Sequence, residues 1–179
     1  MKTMHKHSYA SEKGFTLMEV MVVVAIIGIM SMIAIPSYLS WKPGYEFRGA
    51  VSRIASDLNK AKMRALEIRR ECRVLFCGNA YQIIDSGQTM YTAWESNGAN
   101  CLSTAQQATI EGSGRRVKNV SLADYNNVTV ASNPTPTFNP RGYATTLETI
   151  TVNHRKNDGT VDLSVDITVN QTGRVHVGW

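Results

Sequence analysis

Apolar and polar positions divide the chain into three textures. From Phe15 to Ile35 the residues are almost all apolar, and Glu19 is the only ionisable side chain among these 21. As a helix this run would be about 31 Å long at ~1.5 Å per residue, which matches a hydrocarbon core of about 30 Å. A carboxylate inside such a segment is costly and marks function. Pro36 predicts a kink, and Pro43-Gly44 predicts a second break that interrupts a single continuous helix. Beyond it Phe47, Ala50, Val51, Ile54, Leu58, Ala61, Ala65 and Ile68 recur at three- and four-residue steps. They predict an amphipathic helix whose apolar face lies on a sheet, with Arg48, Arg53, Asp57, Lys60, Lys62, Arg64 and Glu67 solvated off the stripe.

After Arg73 the pattern shortens to β-type runs separated by Gly, Asn, Pro and Ser. The predicted strands are Val74–Cys77, Tyr81–Ile84, Thr89–Trp94, Val117–Leu122, Asn127–Val130, Leu147–Asn153, Val161–Thr168 and Arg174–Val177. Asn157-Asp158-Gly159 predicts a hairpin turn before Val161. The polar stretch 96–113 reads as a surface excursion. The layout is α+β with the helix first.

The formal charge of +5 is unevenly spread. Residues 42–79 hold nine basic and four acidic side chains, whereas residues 80–179 hold seven and eight. The basic excess therefore sits on the linker and helix, and a near-neutral distal domain argues against a strongly polyanion-binding head.

Three cysteines follow the apolar run: Cys72, Cys77 and Cys101. An oxidising compartment lets two of them pair, and spacing leaves three pairings open. A Cys77–Cys101 bridge would close the open end of the hairpin read between them and leave Cys72 on the helix as the odd thiol. No C-x-x-C pair is present, and His154 and His176 read as isolated, exposed residues, so no metal site is expected.

The basic head (Lys2, Lys6, Lys13) suits a signal peptide or a plain anchor, but no A-x-A-like site follows the run at Ala34-Ile35-Pro36-Ser37, and neither has a use for Glu19. The small residue instead precedes the run, at Gly14. Lys13-Gly14-Phe15-Thr16-Leu17-Met18-Glu19 resembles the class III leader of type IV prepilins and pseudopilins. That resemblance implies cleavage after Gly14 by a prepilin peptidase, methylation of the new amine on Phe15, and insertion in the bacterial inner membrane with a periplasmic C-terminal domain before entry into a filament. It also implies that Glu19 pairs with the terminal ammonium of a neighbouring pilin subunit, cancelling two buried charges and setting register. A proline at the position of Pro36 is familiar in that family.

The helix end Asp57-Leu58-Asn59-Lys60-Ala61-Lys62-Met63-Arg64, the strand Arg73-Val74-Leu75-Phe76-Cys77, Phe138-Asn139-Pro140-Arg141-Gly142 and Ile167-Thr168-Val169-Asn170-Gln171-Thr172-Gly173-Arg174-Val175 are similar to the GspH/FimT group of minor pilins and pseudopilins. The implied organisation is a leader at 1–14, a transmembrane and assembly helix at 15–39, a linker and amphipathic helix at 40–72, and a periplasmic β-rich domain at 73–179. The implied fold is pilin-like: a long N-terminal helix on an antiparallel β-sheet domain.

No nucleophile elbow, phosphate loop or paired carboxylates are found, so no enzyme and no cofactor are expected; Gly112-Ser113-Gly114 lacks the strand-to-helix context of a catalytic serine. Two functions remain. One is a structural minor subunit of a type IV pilus or a type II secretion pseudopilus, with a part near its tip and in initiating assembly. The other is a DNA-uptake receptor, since the resemblance implies DNA contact through a C-terminal Gly-Arg-x-Arg loop. Here that loop reads Gly173-Arg174-Val175-His176, to which Arg141 could add. Histidine is mostly neutral at pH 7 and neutralises little phosphate.

Overall fold

The computed structural model describes residues 14–86, 101–112, 114, 116–131 and 133–179. The predicted leader before Gly14 and the predicted strand Thr89–Trp94 lie outside these residues. The chain divides into two compact units, with the boundary between Lys42 and Pro43.

Helix α1 (Leu17–Ile68) runs through both units. Its helical structure is unbroken at Pro36 and at Pro43-Gly44, which corrects the expected second break. Each proline removes one ladder donor, and the turns on either side keep the remaining bonds. The helix stops at Arg69, whose φ of 52° is left-handed and ends the ladder.

In the second unit α1 is followed by strands β1 (Glu71–Phe76), β2 (Ala80–Ser86), the short helix α2 (Thr104–Gly112), β3 (Val117–Ser121), β4 (Val128–Val130), β5 (Thr137–Phe138), β6 (Glu148–Arg155), β7 (Val161–Val169) and β8 (Val175–Gly178). They form two four-stranded antiparallel sheets, ordered β3-β2-β1-β5 and β4-β6-β7-β8. The fold is the α+β, pilin-like one that the sequence implies.

The core follows from the two periodicities. Phe47, Ala50, Val51, Ile54, Leu58, Ala61 and Ala65 on α1 are buried against alternate residues of both sheets, among them Val74, Phe76, Val120, Ile150, Val152 and Ile167. The other face of the first sheet carries a small second cluster in which Ile84, Leu102 and Ile110 are buried.

Four sequence expectations are corrected. Cys72 lies on β1, not on the helix, and is buried. Asp57 is 3% exposed rather than solvated, because Tyr81 on β2 reaches its carboxylate. His154 is buried on β6, held by Asp162 at 2.6 Å and set edge-on against Phe47. The described part of the polar stretch includes a real helix: Ser103 caps α2 reciprocally with Gln106, through Ser103 N–H to Gln106 Oε1 at 2.8 Å and Gln106 N–H to Ser103 Oγ at 3.4 Å. The Asn157-Asp158-Gly159 turn joins β6 to β7, with Gly159 at φ 84° and Asp158 accepting from Thr160.

Candidate functional site

In the first unit Gly14 and Phe15 precede α1 and are exposed. Thr16 caps the helix, its hydroxyl accepting the Glu19 N–H at 3.2 Å. Threonine followed three residues later by glutamate is the pattern that starts a helix, and an acidic side chain in the first turn suits the positive end of the helix dipole. Among the described residues Glu19 is exposed, and so is nearly all of the surrounding apolar run. Ser31 returns its hydroxyl to the Ile27 carbonyl at 2.7 Å, so this polar group is satisfied inside the helix, as an apolar solvent requires. Phe15, Glu19, Val20, Val23 and Val24 line one shallow apolar groove. A lone carboxylate in such a groove is suited to accept a cation brought by an apolar partner.

In the second unit the turns singled out in the sequence meet. Asn139 Oδ1 accepts the N–H groups of Arg141 and Tyr143 at 2.9 and 3.0 Å, and Asn170 Oδ1 accepts that of Arg174 at 2.8 Å. Each turn closes on a glycine with positive φ, Gly142 at 80° and Gly173 at 70°. The two lie backbone to backbone, so that a β-carbon on Gly173 would overlap the Gly142 carbonyl oxygen, and Ala144 N–H donates to the Gln171 carbonyl at 3.1 Å. Lys62 of α1 lies against both glycines. Exposed Arg141 and Arg174 therefore stand on abutting turns beside Lys62, while His176 is exposed one strand position further along β8.

Cys77 and Cys101 are joined by a disulfide. It fastens the start of the α2 segment to the β1–β2 turn, and buried Gln82 completes the clamp by donating to the Leu102 carbonyl at 3.2 Å and accepting its N–H at 2.7 Å. Burial pushes the Cys72 thiol up to about 12, with Asp85 adding to the shift and Arg64 opposing it.

The residue pair that sequence reasoning missed is Asp57 and Tyr81. The Tyr81 hydroxyl donates to Asp57 Oδ2 at 2.8 Å, and Lys60 donates to Oδ1 at 2.9 Å. Burial raises the carboxyl, but these bonds and the nearby Lys118 outweigh it and hold its pKa below the ordinary aspartate value. Its signal was available only as a charge inside the i, i+3, i+4 frame of Ile54, Leu58 and Ala61. A groove of about 800 Å³ beside these residues mixes Lys60, Arg64, Arg116 and Lys118 with Glu67, Asp85 and Glu111. Arg64 is tied to Asp85 at 3.1 Å, so the groove offers no field of one sign.

The prokaryotic N-terminal methylation motif matches residues 9–35, and the family described as type II transport protein GspH matches residues 50–173, well over half of the chain. A fimbrial protein of Pseudomonas aeruginosa is 44% identical over 57 residues, 32% of this chain and 37% of that protein. The type IV major fimbrial protein FimA of Dichelobacter nodosus is 49% identical over 51 residues, 28% of this chain and 30% of that one. The chain thus spans between 30% and 37% of the length of these relatives. Among solved structures, the type IV minor pilin FimU of Pseudomonas aeruginosa gives a TM-score of 0.49 at 16% identity, covering 75% of this chain and 89% of that one. With its methylation motif and the family match across most of the second unit, this chain is type IV pilin-like and belongs to the type II transport protein GspH family.

Proposed function

We propose that the protein is a minor pilin or pseudopilin, a structural rather than catalytic subunit of a type IV pilus or a type II secretion pseudopilus. In this reading a prepilin peptidase cuts after Gly14, the Phe15 amine is methylated, and the Phe15–Ile35 segment holds the chain in the inner membrane, with its second unit in the periplasm, until it joins other subunits near the filament tip. The observation that carries the reading is Glu19: a single carboxylate, exposed in an apolar helical surface that is itself exposed among the described residues. In hydrocarbon that charge needs an opposite partner, and a neighbouring subunit's terminal ammonium, equally isolated, supplies one. N-terminal sequencing of membrane-extracted protein tests the processing step. A terminus at Phe15 is expected; recovery of Met1, or a terminus beyond Ala34, would overturn it.

A second reading, DNA binding during uptake, is favoured by one observation: the contact of Gly142 with Gly173 groups Arg141, Arg174 and Lys62. Contact with phosphates through these cations would be independent of sequence and steeply salt-dependent. A gel-shift titration of the detergent-solubilised chain at low salt is the test. A salt-sensitive shift abolished by Arg174→Ala supports this reading, and the absence of any shift at tens of micromolar protein removes it.

A further inference from the structure

Two of the four sheet edges are closed by main-chain bonds of the chain itself, and a third, β3, is flanked by α2 through the Asn119 side chain, which donates to that of Gln107 at 2.8 Å. Along β4, Val130 N–H donates to the Gly78 carbonyl at 2.9 Å. Along β5 the chain doubles back, so that Phe138 bridges Ala144 and Thr145 N–H donates to the Thr137 carbonyl at 2.9 Å. Among the described residues, nothing pairs with the outer edge of β8. Asn170 N–H donates to the Arg174 carbonyl at 3.1 Å, which sets the phase of the β7–β8 ladder. Because bonded and non-bonded pairs alternate, His176 is bonded inward to Thr168, and Val175 and Val177 turn their backbone N–H and C=O groups off the open edge. Such an edge is a template for another strand unless it is covered.

β8 also runs beside α1. At its start Gly173 lies against Lys62, and just past its end the Arg48 guanidinium stands 6.0 Å from the Trp179 ring centroid. From Arg48 to Lys62 the helix rises about 21 Å, and from Gly173 to Trp179 a strand covers about 20 Å, so the two contacts are about equally far apart on both elements. Between those points α1 places Ser52, Ala55 and Asn59 at three- and four-residue steps, all short side chains, on the surface it presents between Arg48 and Lys62. Cations stand at both ends of this surface: Arg48 at one, Lys62, Arg141 and Arg174 at the other.

We propose that the seam between the open edge of β8 and the Arg48–Lys62 flank of α1 takes an extended, acidic segment of a different pilin-type subunit, added as a fifth strand of the second sheet. Main-chain groups of Val175 and Val177 would supply affinity, and the cations at the two ends would select an acidic strand. A second copy of this chain is the wrong occupant, because two such seams brought together would set their cations against each other. The inference rests on the subunit reading above, and the test separates the two.

A photo-crosslinking residue is placed at Ser52 or Asn59 of the full chain, with Ser164 on the exposed outer face of the second sheet as control, and sheared filaments are analysed by mass spectrometry. Cross-links from Ser52 and Asn59, but not Ser164, to a different pilin-type subunit are expected. Arg48→Glu combined with Arg174→Glu should cut their yield about tenfold. Filaments that contain the chain without these cross-links overturn the proposal, as do cross-links to a second copy only or to nucleic acid. A chain that never enters filaments removes the subunit reading itself, and this inference with it.

Discussion

Gly173 abuts the carbonyl of Gly142 with no space for a β-carbon between them. The contact joins the turn after β5 to the turn before β8, and thereby one sheet to the other. Gly173→Ala must both strain a φ of 70° and push two backbones apart. It is expected to cost about 3 kcal/mol or more in denaturant unfolding. Gly78→Ala is the control: its φ is 71° but nothing lies within 4 Å of the added carbon. It should cost only the conformational penalty, about 1–2 kcal/mol. Equal losses in the two variants would mean that the Gly142–Gly173 contact contributes nothing.

The buried Asp57 couples stability to pH. Its folded pKa lies below the ordinary aspartate value of 3.8, so the carboxylate stabilises the fold above that value, and the contribution disappears as pH falls through the depressed folded pKa. Asp57→Asn should lower the unfolding temperature at pH 7, through about 1–3 kcal/mol lost from the Tyr81 and Lys60 bonds. The gap to the unmodified protein should narrow as the solution is taken below pH 4. A gap that stays constant down to pH 2 would contradict the assignment.

The disulfide and the buried thiol are separable. Reduction, or Cys77→Ser with Cys101→Ser, should cost about 2–4 kcal/mol. Hydrogen exchange should rise first in α2, which is held otherwise by Gln82, by the Asn119–Gln107 bond and by the three buried residues of its small cluster. Cys72 is buried, with its thiol pushed up to about 12, and should resist alkylation in the native protein and react once it is unfolded. Rapid labelling under native conditions would overturn its placement on the inner face of β1.

Local patterns made much of this legible. The stripe from Phe47 to Ala65 is buried as its spacing implied, and most strands begin and end within a few residues of the alternating runs. Helix α2 was missed although Ser103-Thr104-Ala105-Gln106 carries a capping signal, because only Ile110 marks an apolar face. Strand β5, a two-residue strand directly after a Pro-rich stretch, is too short to show a period. Asp57 is not legible locally, because a charge beside an apolar stripe reads as solvated while its partner lies 24 residues away on β2. The meeting of the two Asn-x-x-Gly turns was out of reach for the same reason: each turn is local, but their contact depends on how the sheets are brought together.

If Glu19 makes this chain a filament subunit, immunodetection of Glu19→Ala in sheared filaments will show it. The variant removes the partner of a buried ammonium, a loss of about 3–5 kcal/mol that processing does not share. The expected result is normal cleavage after Gly14 and strongly reduced incorporation into filaments. Incorporation at the level of the unmodified protein would contradict the claim.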